Sequence, residues 1–353
     1  MSKKSVMSGK AMTVLGPVDP AVLGPTQTHE HLVIATDPYF VMPEEASLRA
    51  LEHAPVTMDI LGKLDSNWLH NRESQMLVDE QAALEEVMEF KLAGGGTIVD
   101  ATSITIGRDP LALARISRAS GLHVIMGGSY YVPVSYPTDM DTRPEDDIVE
   151  ELVRDITVGV KNTGIKSGVI GEVGFVYPLT DTQKKVIRAS ARASVETGAP
   201  VLIHPGHHQR APLEILEVMT KVGLDVESAI IGHLDMRISD NAILKELAQT
   251  GCFMEFDVFG NEKTGFGVHV KARGVPSDVQ RMEMLEFVAS EGHLGQVVVA
   301  QDHCLTWYWK RNGGHGYGHI LESIAPRLKK RGFTQAQVDS ILIDNPARAL
   351  TFK

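Results

Sequence analysis

Short apolar runs alternate with longer amphipathic segments along most of the chain. Residues 26–34, 97–101, 123–127, 168–173, 200–204, 229–233, 252–256 and 296–302 read as strands. Several of these are nearly continuous in Val, Ile and Leu, the pattern of parallel strands covered on their outer face by helices. Between them, residues 73–92, 110–120, 145–162, 182–197, 212–222, 240–249, 279–291 and 317–330 read as helices, the last expected to kink or end early at Pro326. A final helix near 346–351 is expected to be capped by Asn345, with Pro346 in its first turn.

Strands that each precede a helix predict a (β/α)8 TIM barrel, which typically takes about 250 residues and more with insertions. A doubly wound open sheet is the other arrangement this alternation allows, but no Gly-rich phosphate loop follows the first strand. Gly94-Gly95-Gly96 precedes the second strand instead and reads as a helix end and turn. No low-complexity linker or internal repeat divides the chain, so residues 1–353 are expected to form one domain. Within segment 1–24, Gly16-Pro17 and Asp19-Pro20 separate apolar patches and predict a short β-hairpin ahead of the barrel. The connections 35–72, 257–278 and 303–316 are long and follow the first, seventh and eighth strands. They would overhang the C-terminal mouth, where long loops are usually functional.

Composition narrows the class of function. With 43% hydrophobic and 22% charged residues, the chain has the balance of a soluble globular protein. Its net charge of −11 and a longest basic run of only Lys329-Lys330-Arg331 argue against nucleic acid as a partner. Two cysteines, Cys252 and Cys304, exclude a disulfide framework. Lys3 and Lys4 are not followed by an apolar stretch, and no 18-residue apolar run occurs, so no membrane association and a cytoplasmic location are expected. The 14 histidines exceed what packing ordinarily needs.

Their placement suggests chemistry. His29 and His31 are two apart on the first predicted strand, so both project to one face while Glu30 points away. Glu172, His204, His233 and Asp302 each sit at or near the end of a later apolar run, the position that becomes the catalytic face of a barrel. Four imidazoles and two carboxylates make a poor core and a good ligand set for two divalent metal ions. Two dications balanced by two carboxylates and a shared hydroxide would leave a net charge of about +1, suited to stabilising charge on an attacked carbonyl or phosphoryl oxygen.

The stretches Thr28-His29-Glu30-His31-Leu32, Gly171-Glu172-Val173-Gly174, Ile231-Gly232-His233-Leu234-Asp235, the terminal Asp302 and Asn345-Pro346-Ala347-Arg348 resemble the phosphotriesterase-like branch of the amidohydrolase superfamily. The resemblance implies a barrel with two metals at its mouth, commonly zinc, with manganese or cobalt also compatible. It places His29, His31 and Asp302 on the more buried metal, His204 and His233 on the more exposed one, and Glu172 between them. Many members bridge with a carbamylated lysine; Glu172 would remove that requirement. Many lactonases and phosphotriesterases carry Arg or His directly after the seventh-strand Asp, whereas Asp257 is followed here by Val258.

That departure favours a carboxylic ester or lactone over a phosphotriester as the substrate, cleaved by the shared hydroxide with Asp302 relaying the proton. Phosphotriester or other phosphoester hydrolysis, amide hydrolysis, and a non-catalytic metal-binding barrel are the alternatives. Tyr131 resembles the family tyrosine that reaches the reacting oxygen, with Tyr130 as its rival. The aromatic and basic cluster Trp307, Tyr308, Trp309, Lys310 and Arg311 reads either as a lid with substrate contacts from Trp307 and Arg311, or as a homodimer interface. Cys304 lacks an evident base for a nucleophilic role.

Overall fold

The computed structural model describes residues 7–262 and 275–353. Among the described residues, the inner wall consists of β1 (Thr26–Glu30), β2 (Thr97–Asp100), β3 (His123–Met126), β4 (Ile170–Gly174), β5 (Val201–His204), β6 (Ala229–Ile231), β7 (Phe253–Phe256) and β8 (Val297–Val299). Strands β8-β7-β6-β5-β4 form one parallel group and β1-β2-β3 another. Hydrogen bonds join the two groups at both seams. Gly128 and Gly171 exchange backbone bonds of 2.8 and 2.9 Å between the ends of β3 and β4, and the Asp302 amide donates to the His29 carbonyl at 3.1 Å beside β8 and β1. The wall is that of a (β/α)8 barrel.

The outer layer comprises α1 (Glu80–Leu92), α2 (Pro110–Ser120), α3 (Glu145–Thr157), α4 (Asp181–Thr197), α5 (Ala211–Lys221), α6 (Asn241–Ala248), α7 (Asp278–Ser290) and α8 (Ala325–Lys330). Local chemistry sets several of their ends. Asp109 caps α2 by accepting from the Leu111 and Ala112 amides, and Thr180 and Gln183 close a reciprocal cap on α4. The hairpin pairs Ala11–Thr13 with Gly16–Val18. Ala11 and Leu23 pack with Val99, Ile125, Leu202 and Val298 inside the barrel, away from its mouth. No helix among the described residues is long and apolar enough to cross a membrane.

Three expectations change. The helix expected over 73–92 starts at Glu80, where the Asp79 carboxylate caps the Ala82 amide; Met76–Leu77 instead pairs as a short strand with Ile34–Ala35. The amphipathic period had run through a cap. The helix expected over 317–330 opens as a wide turn, Ile320–Ile324, and becomes α-helical at Ala325, because Pro326 has no N–H to continue the ladder. Asn345 does not cap the last helix (Asn345–Ala349). A helical turn from Ser340 to Asp344 runs straight into it, and the Asn345 amide donates instead to the Leu294 and Val297 carbonyls at 2.9 and 2.7 Å, beside β8. Of the three long connections, 263–274 lie outside the described residues, as do residues 1–6 with Lys3 and Lys4.

Candidate metal centre at the barrel mouth

Strand ends that are far apart in sequence meet at the mouth. Glu172 lies at the centre, with Oε2 3.4 Å from His29 Nε2, 3.3 Å from His204 Nδ1 and 3.6 Å from His233 Nε2. Its other oxygen is 3.3 Å from His31 Nε2, which is also 3.3 Å from Asp302 Oδ1. The structure thus brings together all six side chains singled out in the sequence. His29, His31 and Asp302 form one group with ligand atoms within 4.8 Å of each other, and Glu172, His204 and His233 form a second. His233 and Asp302 both adopt left-handed backbone, φ 57° and 49°, conformations that non-glycine residues hold only where the surroundings impose them.

A surrounding set of polar residues aims these ligands. His29 Nδ1–H donates to Glu255 at 3.0 Å and lies 3.1 Å from Asp257; His233 Nδ1–H donates to Asp257 at 2.9 Å; His31 Nδ1–H donates to the Thr102 hydroxyl at 3.0 Å. Each bond leaves Nε2 directed at the centre, the usual arrangement for a metal-binding imidazole. Glu30, which points away from its histidine neighbours, accepts from the Gln301 and His303 amides at 2.7 and 3.0 Å and so pins the turn that presents Asp302. A Cβ on Gly232 would lie only 2.9 Å from Asp257 Oδ2, so glycine there lets the carboxylate approach. Sequence reasoning missed Glu255, Thr102 and the clamping role of Glu30. An acidic residue inside the apolar run Phe253-Met254-Glu255-Phe256 was the available signal.

The electrostatics show what this cluster demands. Burial by itself would lower the histidines, but the carboxylates outweigh it. Asp302 and Glu172 lift His31 to about 9, and Asp257 with Glu172 lifts His233 to about 10. His204, buried beside the charged His233, is pushed down to about 4. Burial opposes charge on Glu172 too, yet the neighbouring histidines hold it well below the usual carboxylate range. The carboxylates therefore draw positive charge into a water-poor pocket. His29 Nε2 and Glu172 Oε2 are buried without a hydrogen-bond partner among the described residues, and His204 Nδ1 lies 2.8 Å from His233 Nε2. Lone pairs this close need a cation or proton between them, and imidazole plus carboxylate is a borderline donor set suited to zinc-like ions. The residues fit a pair of divalent metals.

The centre opens into a cavity of about 70 Å³ lined by His31, Tyr131, Glu172, His204, His233 and Asp302, and by Tyr39, Trp68, Arg237 and Leu305 from the connecting segments. Tyr131 donates its hydroxyl to His204 at 3.2 Å, whereas Tyr130 turns outward to Glu151. Trp307 and Arg311 do not line the cavity, which corrects the substrate contacts expected of them. The Trp307 ring is buried with Val56, Leu64, Trp68 and Leu305, where it packs one long loop against another. Arg311 lies over α1, with its guanidinium 3.7 Å from Glu85 and its amide donating to Glu86. Cys304 faces the cavity, but burial and the Asp302 and Glu172 charges raise its thiol well above the ordinary value, leaving it unsuited to nucleophilic attack.

Comparison with known proteins agrees with this geometry. An N-acetyltaurine hydrolase from Salmo salar is 40% identical over 350 residues, 99% of this chain and 100% of that protein. A resiniferatoxin-binding protein from Rhodobacter sphaeroides superposes with a TM-score of 0.93 at 32% identity, covering 98% of this chain and 96% of that one. A lactonase from Listeria monocytogenes superposes at 0.75 with 26% identity over 98% and 99% of the two chains. The sequence model of the Phosphotriesterase family matches residues 9–350. With candidate metal-ligand clusters at the mouth of its barrel, this chain belongs to the Phosphotriesterase family and is a metal-dependent hydrolase.

Proposed function

We propose that the chain hydrolyses the acyl bond of a small carboxylic substrate, an N-acyl amide in the first place, using two divalent cations with zinc foremost among them. His29, His31 and Asp302 would hold one, His204 and His233 the other, and Glu172 both. The observation that carries the reading is the cavity. Five of the six candidate ligands, His31, Glu172, His204, His233 and Asp302, line it beside aromatic and aliphatic groups, the make-up of a site for a small, partly apolar acyl compound. The amide is favoured by the full-length likeness to a relative named for amide hydrolysis. An ester or lactone is the second reading, supported by the superposed lactonase.

The cations would supply Lewis acidity toward the attacking water and the acyl oxygen. The chain's own groups do the rest. Asp302, the most exposed carboxylate of the cluster at 13%, faces both His31 and His233 and can take a proton from the water. It then delivers that proton to the departing nitrogen, so that acid and amine leave as separate products. The Tyr131 hydroxyl, on the cavity wall beside His204, can donate to the acyl oxygen as charge builds there. Thr102, Glu255 and Asp257 keep the imidazoles in place, and the apolar wall limits bulk water.

The test is a panel of N-acetyl amides, lactones and a dialkyl aryl phosphotriester, assayed with zinc or manganese and after chelation. The amide should give the highest kcat/KM, and chelation should abolish it. A leading phosphotriester, or turnover indifferent to metal, would refute the proposal.

A further inference from the structure

Buried guanidinium groups elsewhere in this fold are saturated with partners. Arg281 donates to Asp235 and Asp278 at 2.9 Å and to the Asn261 carbonyl at 2.6 Å. Arg108 donates to Asp155 at 2.8 Å and to Ser167 at 3.2 Å. Arg237 differs. It ends the short helical turn Leu234–Arg237 that follows β6 and is 7% exposed. Its Nε and Nη1 are fully buried with no hydrogen-bond partner among the described residues. Its side chain lines the same cavity as His204, His233 and Asp302.

An unpaired buried charge costs stability, and arginine does not escape that cost by losing its proton. Asp302, Asp257 and Asp235 lie near enough to attract the guanidinium, but none bonds to it. The fork of donors is therefore free for a planar or tetrahedral oxyanion inside an apolar wall, where such a bond is strongest. We propose that Arg237 anchors an anionic group of the substrate, a carboxylate or sulfonate joined to the scissile acyl bond by a short linker. The substrate class is then an N-acyl amino acid or N-acyl amino sulfonate. The substrate class rests on the acyl-hydrolase reading above; the anchoring of an oxyanion does not.

Wild type, Arg237→Met and Arg237→Lys, each with its metal content and Tm measured, are compared on N-acetyltaurine and N-acetylethanolamine, which share the acetyl amide and differ in sulfonate against hydroxyl. The wild type should favour the sulfonate by roughly 100-fold in kcat/KM, and Arg237→Met should cut that ratio to within about 5-fold, mainly through KM. Arg237→Lys, with a point charge in place of the fork, should lie between. Calorimetric titration with ethanesulfonate should show binding to the wild type and none to Arg237→Met. A preference that survives Arg237→Met overturns the assignment. If the wild type cleaves neither amide, the reading of the reaction fails, while the ethanesulfonate titration still decides the anchor: binding that is equal in both proteins, or absent from both, overturns it. Should Arg237→Met not fold, an Arg237→Lys protein with undiminished sulfonate preference and affinity overturns it instead.

Discussion

At the residue scale, four of the six candidate ligands are set by residues behind them: His29 by Glu255, His31 by Thr102, His233 by Asp257 and Asp302 by Glu30. Asp302 is presented by a left-handed turn clamped on both sides by Glu30, and His233 by a left-handed residue whose amide and ring both bond to Asp257. Asp302→Asn would remove the proposed proton carrier and His233→Ala a proposed ligand atom. Each is expected to lower kcat by about 1,000-fold or more with unchanged circular dichroism, as losses of groups acting on the reacting atoms do. Near wild-type rates in either would contradict the assignment. Glu255→Gln keeps the shape beside His29 and removes the charge that orients its ring. Zinc affinity, measured by competition with a chromogenic chelator, should fall about 10- to 100-fold.

At the element scale, the site exists because strands of different lengths stop at one level. Close backbone approach at the seam between β3 and β4 helps. A Cβ on Gly127 would sit 2.1 Å from the Gly171 carbonyl, so no larger residue lets the two strands meet there. The opposite end of the barrel is held by Asn345, whose side-chain amide ties the last helix to the two carbonyls beside β8. Asn345→Ala removes both bonds, one of them to a buried carbonyl, and should cost about 1–3 kcal/mol. Chemical denaturation should show this as a lower midpoint with little change in slope, and a shift of a few tenths of a kcal/mol would mean that water replaces the bonds.

At the scale of the whole molecule, buried ion pairs link the barrel to its loops. Asp278, at the first turn of α7, accepts from His319 at 2.8 Å, from the Gly260 amide and from Arg281. Burial would raise its pKa, but these partners win and hold it at about 2. A carboxyl held below its unfolded value of roughly 3.9 stabilises the fold fully above that value, and the contribution disappears as pH falls through about 2. The difference in stability between wild type and Asp278→Asn should therefore be about 2 kcal/mol at neutral pH and shrink between pH 4 and 2. A pH-independent difference would show that packing, and not charge, accounts for it.

Much of this was legible along the chain, for reasons that can be named. Apolar runs of strand length recur between helical periods, so the barrel and the cores of β1 to β8 followed from burial alone. Capping misled where longer-range bonds competed. Asn345 has the chemistry of a cap, yet its partners are carbonyls 48 and 51 residues away. The six ligand candidates were visible because ionisable residues closing apolar runs are costly without a partner. Which of the remaining residues reach the cavity depended on how the connections fold back. Tertiary packing buried Trp307 between loops, carried Arg311 outside over α1, and left Arg237 facing the metal ligands without a bond. Periodicity and residue type thus determined the architecture and the kind of chemistry, since both are written in neighbouring positions. Side-chain partnership across distant segments, and with it the shape and charge of the substrate pocket, was decided only by the closed three-dimensional packing.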